Sequence, residues 1–129
     1  MTRCLLPEVH AVFVHTKDLK RSARWYSDLL DLPFEEEKVH SPVYNLPVKG
    51  GVHLTIDDHK YDSNYSFERV RTPVFNFCSK NLVESYQELV GKGVIITKEI
   101  ESHGDFGWFH IQDPDEHVVM VCGTIVDRS

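Results

Sequence analysis

Apolar positions along this chain change period twice, in the same order each time. Val9, Ala11, Val12, Phe13 and Val14 form a β-branched and aromatic run that predicts a strand over residues 9–14. Leu19, Ala23, Tyr26, Leu29 and Leu30 then follow a helical period behind Asp18, a residue suited to cap a helix N-terminus, and Pro33 ends that helix. Residues 34–39, 43–48 and 51–56 read as three strands, separated by turns at Ser41-Pro42 and Gly50-Gly51. After a polar stretch over 57–72 the order returns. Residues 74–78 predict a strand, and a helix carrying Leu82, Tyr86, Leu89 and Val90 is capped by Ser79 or Asn81 and stopped by Gly91-Lys92-Gly93. Strands are expected at 94–100, 106–112 and 117–122, around a loop at Ser102-His103-Gly104-Asp105 and a turn at Asp113-Pro114-Asp115.

The recurrence has a constant offset of 63 residues, taking Leu19 to Leu82 and Ser22 to Ser85. His15-Thr16-Lys17-Asp18-Leu19 opens one helix and Cys78-Ser79-Lys80-Asn81-Leu82 opens the other. The pattern is βαβββ, twice, which predicts an α+β domain of two modules with the functional site where the copies meet. Module one spans about 8–57, a linker about 58–71 and module two about 72–123, within a single domain over 1–129.

Composition narrows the function classes. With 129 residues, 41% apolar and 26% charged, the chain can bury a core of ordinary globular size. A formal charge of −6 argues against a nucleic-acid surface, which needs cations to replace the counterions of phosphate. No apolar run approaches the ~20 residues that span a bilayer, and residues 1–8 lack the apolar stretch of a signal peptide. Cys4, Cys78 and Cys122 are odd in number and lack zinc spacing, so reduced thiols in a cytoplasm are expected.

The helix Asp18-Leu19 through Arg24-Trp25-Tyr26-Ser27-Asp28-Leu29-Leu30 resembles the D-L-x-x-S/A-x-x-F/W-Y-x-x-L/V-L helix of the vicinal-oxygen-chelate superfamily. That is the glyoxalase/bleomycin resistance/dioxygenase superfamily. Asp113-Pro114-Asp115 followed by a strand resembles its D-P-D-G-N-x-x-E ending, although Glu116 and His117 replace the glycine and asparagine. Glutamate where glycine usually supports positive φ implies an altered or strained turn. The resemblance covers nearly the whole chain. It implies a curved mixed sheet that forms a cup, with the first and last strands of each module parallel neighbours that carry a metal on its floor.

Carried onto this sequence, the resemblance puts the first metal-ligand position at Ala11 and its twin, eight before Leu82, at Val74. His53 in Val52-His53-Leu54-Thr55 takes the second position, and Met120 stands where the family carries a glutamate. Ala11 and Val74 cannot ligate, and a thioether is a poor ligand for hard or borderline divalent metals. Turning His10 inward would flip Val12 and Val14 into the cup. No metal residue and no cofactor are therefore expected.

The implied cup is lined by Ala11, Phe13 and His15, by His53, Thr55 and Asp57, by Val74, Asn76 and Cys78, and by Val118, Met120 and Cys122. His110 lies three before the Asp113-Pro114 turn, a position that faces the ligand in fosfomycin-modifying relatives, and Trp108 is its same-face neighbour. His53 and His110 are the candidate acid–base residues. The expected ligand contacts are Phe13, His15, His53, Thr55, Asn76, Trp108, His110 and Met120. His15 and Asp57 fall at equivalent heights and could pair, and Cys78 and Cys122 are expected one diagonal step apart.

These residues predict a metal-independent protein that binds a small apolar or aromatic ligand in the cup. The alternative is a glyoxalase-like lyase or isomerase with a rearranged histidine site at His53, His110 and His15. A third possibility is a subunit whose cup is vestigial. The partners expected are a small molecule and, from the resemblance, a second copy of the chain, with no nucleic acid and no membrane.

Overall fold

The computed structural model describes residues 4–125. The chain divides into two compact units, the first ending at Phe67 and the second starting at Glu68.

Unit one contains β1 (Ala11–His15), α1 (Leu19–Leu29), a 3-10 turn (Glu36–Lys38), β2 (Val43–Leu46) and β3 (His53–Asp57). Its sheet runs β1-β3-β2, with β1 parallel and β2 antiparallel to β3. Alternation along the strands turns Val14, Leu54, Ile56 and Leu46 toward α1, where they are buried with Leu19, Ala23 and Tyr26. Full burial of each such side chain is worth about 1.5–3 kcal/mol.

Unit two contains β4 (Asn76–Ser79), α2 (Leu82–Gly91), β5 (Ile95–His103), β6 (Phe106–Gln112) and β7 (Val118–Thr124). Its sheet runs β4-β7-β6-β5, with β4 parallel to β7 and the other pairs antiparallel. Phe109, Ile111, Val119 and Val121 form its core with Leu82 and Leu89 of α2. Tyr86 meets Phe109 edge-on at 5.2 Å.

The internal repeat holds to the level of single hydrogen bonds. Asp18 accepts from the Arg21 amide at 3.1 Å, and Asn81 accepts from the Glu84 amide at 3.1 Å. Asn81 is thus the second cap, rather than Ser79. Thr16 and Ser22 share a hydroxyl bond of 2.6 Å, as do Ser79 and Ser85 63 positions later. Each hydroxyl at the strand end therefore ties the incoming backbone to the first turn of its helix.

Unit one is βαββ instead of βαβββ. The strand expected over 34–39 is a 3-10 turn, because Glu35, Glu36, Glu37 and Lys38 have low strand propensity and no apolar alternation. Only Val39 of this stretch is buried. β2 stops at Leu46 because Pro47 has no amide to donate to a ladder.

The Asp113-Pro114-Asp115 turn closes as its sequence suggests. Asp113 Oδ1 accepts from the amides of Asp115 and His117, both at 2.9 Å. Glu116 sits in the left-handed region at φ 66, so the expected strain resides in this residue.

The polar stretch is tied to both units. Lys17 lies over the Phe67 ring in unit one. In unit two the Val70 amide donates to His117 Nδ1 at 2.8 Å, and the Val118 amide donates to the Val70 carbonyl at 2.8 Å.

Candidate functional site

In unit one, the sheet face turned away from α1 carries the predicted residues in register. Ala11 faces His53, Phe13 faces Thr55 and His15 faces Asp57 across the parallel pair. Phe13 is 49% exposed, a large ring left on an open face. His53 is exposed too, and its ring lies 4.8 Å from that of His10, whose carbonyl accepts the His53 amide at 2.9 Å. Thr55 is buried, and its hydroxyl donates to Asn45 Oδ1 on β2 at 2.6 Å. Asn45 thus orients a predicted contact residue and was not anticipated.

At the carboxyl ends of β1 and β3 the side chains cluster. His15 Nδ1 and His59 Nε2 are 2.6 Å apart, a hydrogen bond that needs one nitrogen protonated and the other bare. Asp57 Oδ1 accepts the His59 amide at 2.8 Å, and its Oδ2 lies 3.8 Å from His59 Nε2. Asp62 Oδ2 stands 3.7 Å from the other His59 nitrogen, and Tyr65 stacks on the His59 ring at 3.6 Å and 5°. His59 and Tyr65 belong to the stretch read as linker. The sequence signal for His59 is the aspartate two residues before it, whose side chain captures its amide.

Unit two places the remaining predicted residues on one face of its sheet. Asn76 faces Met120, and Asn76 Nδ2 approaches the Met120 sulfur at 3.9 Å. Across β7, His110 faces Met120 and Trp108 faces Cys122. Two sequence expectations change here. Val74 precedes β4, so Met120 stands opposite Asn76 and not beside the twin of Ala11. Cys78 and Cys122 are direct register partners rather than diagonal ones. Both differences arise because strand-to-helix spacing fixes only one strand, while pairing register is set by the neighbour.

Burial, followed by the charge of Lys98, holds the His110 imidazole below its ordinary value of 6.5, with Glu101 opposing. Its Nε2 is buried without a hydrogen-bond partner. The unfolded chain therefore takes up the proton first as pH falls. The resulting stability is present above the ordinary imidazole range and is lost as pH drops through the lowered one. Wild type is expected to lose more stability than His110→Gln between about pH 7.5 and about pH 5. Urea midpoints measure this, and equal losses would remove His110 as the cause.

At the positions to which the resemblance assigns a metal, the side chains are a methyl, an imidazole, an isopropyl and a thioether. That donor set does not fit a divalent ion. Among the described residues, no group of three or more His, Cys, Asp and Glu is arranged to hold a metal. No helix among them is long and apolar enough to cross a membrane.

Solved structures share this fold at low sequence identity. A superfamily member from Sphaerobacter thermophilus DSM 20745 matches with TM-score 0.72 and 15% identity, covering 92% of this chain and 98% of the other. The oxidase ChaP-H2 matches with TM-score 0.69 and 17% identity, covering 92% and 94%. A lactoylglutathione lyase from Agrobacterium tumefaciens gives 0.68 and 12%, covering 92% and 94%. No curated protein matches by sequence. The family profile described as Glyoxalase/Bleomycin resistance protein/Dioxygenase superfamily matches residues 8–121. With nearly the whole chain matched and both units built on parallel first and last strands, the protein belongs to the glyoxalase/bleomycin resistance/dioxygenase superfamily.

Proposed function

We propose that the protein binds a small apolar or aromatic molecule, in the cup that the superfamily resemblance implies, without a divalent metal. The observation that carries this reading is the chemistry of the two open sheet faces. They present Phe13 and Trp108 beside a few polar points at His53, His110 and Asn76, while the positions that the resemblance assigns to metal ligands hold Ala11, Val74 and Met120 beside the single imidazole of His53. Apolar walls with few polar groups suit a flat ligand oriented by hydrogen bonds. The proposal includes a homodimer, as the resemblance implies, in a reducing cytoplasm that suits three free cysteines.

Screening aromatic fragments by thermal shift tests the proposal. A fragment present at ten times its Kd is expected to add about 1.4 kcal/mol of stability. Trp108→Ala and His53→Ala are each expected to weaken that fragment by roughly tenfold, the loss of about 1.4 kcal/mol from one stacking or hydrogen-bonding contact. A stoichiometric divalent metal that disappears in His53→Ala would overturn the reading.

One observation favours a second reading, a glyoxalase-like lyase or isomerase. The bonded pair of His15 and His59 puts a bare imidazole nitrogen next to a protonated one, between Asp57 and Asp62. Such a pair can relay a proton from one ring to the other, which a step that moves a proton from carbon to a neighbouring atom requires. On this reading His59 joins His15 in the role first assigned to His53 and His110. Turnover of a hemithioacetal that vanishes in His59→Asn, with fragment binding unchanged, would select the enzyme.

A further inference from the structure

Three sulfur atoms share one patch of the unit-two sheet. Cys78 on β4 stands directly opposite Cys122 on β7, and Met120 lies two residues earlier on the same face of β7. Both cysteines are free thiols. On the next strand His110, opposite Met120, presents the buried Nε2 that has no hydrogen-bond partner. The patch is thus two thiols, a thioether and an unpartnered imidazole nitrogen.

The geometry of a parallel pair decides what two such thiols can do. Adjacent strands lie about 4.8 Å apart, and in-register side chains leave them in the same direction. A disulfide needs its Cα atoms about 4.4–6.8 Å apart, a range that includes this spacing, so the two thiols are available to an ion while they stay reduced. A single atom bonded to both sulfurs at about 2.3 Å each spans up to twice that length, which matches the strand spacing. Divalent ions that demand four ligands find too few here, whereas a soft monovalent ion accepts two or three sulfurs.

We propose that Cys78 and Cys122 form a binding site for a soft monovalent cation of the Cu(I) class, with Met120 as the third donor. The cation forms two metal–thiolate bonds, and the two thiol protons pass to solvent. No electron changes hands. The site shares Met120 with the ligand contacts of the small-molecule reading, while Cys78 and Cys122 line the implied cup without being among those contacts, so the Cu(I) titration and the fragment screen can fail separately.

The test uses the full reduced chain carrying Cys4→Ser, so that only the sheet thiols remain. Cu(I) alone is titrated anaerobically against the coloured chelator bathocuproine disulfonate. One Cu(I) per chain is expected. Cys78→Ser or Cys122→Ser should weaken binding by about 100-fold and Met120→Leu by about tenfold, the span that substitutions around metal sites cover. Failure to compete with the chelator, or full affinity in either serine variant, would overturn the site. Should a serine variant not melt cooperatively, X-ray absorption of the loaded parent decides. Two or three sulfur neighbours at about 2.3 Å support the site, and a shell of nitrogen and oxygen alone overturns it.

Discussion

Gly123→Ala is expected to cost about 3 kcal/mol or more, at the top of the range for overpacked sites. A Cβ at Gly123 would lie 2.0 Å from the Ser79 carbonyl oxygen, 2.9 Å from its carbon and 3.1 Å from its nitrogen. All three atoms are backbone, so no rotamer change relieves the clash and one strand must move. Ser79 is the register partner of Gly123 across the parallel pair. Its hydroxyl also bonds Ser85 in the first turn of α2 and accepts the Asn81 amide at 3.1 Å. Displacing Ser79 therefore loosens the entry of α2 as well as the β4–β7 ladder. Gly91→Ala is the control, because nothing lies within 4 Å of its Cβ and it ends a helix. It is expected to be neutral or to gain up to about 1 kcal/mol. Urea denaturation of both variants gives the comparison. A Gly123→Ala protein within about 1 kcal/mol of wild type would mean a different β4–β7 register. The direct pairing of Cys78 with Cys122 would then fall too.

The close approach at Gly123 had no sequence signal, and the reason separates what was legible from what was not. Features determined within a few residues could be read directly. Asp18 and Asn81 cap their helices because a short polar side chain reaches the amide three residues on. The 63-residue repeat, two helices and parallel first and last strands followed from periodicity and resemblance. Features set by a partner strand could not be read this way. Met120 facing Asn76 depends on where β4 begins, which Leu82 does not dictate. The stacking of Tyr65 on His59 is tertiary and lies in a polar stretch with no period at all. The turn in place of a strand over 34–39 has a different origin. Phe34 and Val39 suggested a strand, but four charged residues between them leave no apolar face to bury.

The most local of the legible features, the Asp113-Pro114-Asp115 turn, also carries a large energetic consequence. Asp113 is 3% exposed, and its Oδ1 alone accepts two amides, those of Asp115 and His117. The Asp113 backbone also takes part, donating to the His117 carbonyl and accepting from the Glu116 amide, each at 3.0 Å. Asp113→Ala would strand both amides in a dry site, at about 1–3 kcal/mol each, so a loss of about 3 kcal/mol is expected. Asp113→Asn keeps an amide oxygen in place of Oδ1 and is expected to cost about 1 kcal/mol, the difference between charged and neutral acceptors. The two variants together distinguish hydrogen-bond geometry from charge. Equal losses would show that the carboxylate acts through its charge, and a negligible loss in Asp113→Ala would show that the turn holds without it. The damage should also spread beyond the turn, because His117 Nδ1 receives the Val70 amide and Val118 donates to the Val70 carbonyl. Hydrogen exchange at Val70 should therefore accelerate in Asp113→Ala and stay near wild type in Asp113→Asn, since only the first lets His117 move.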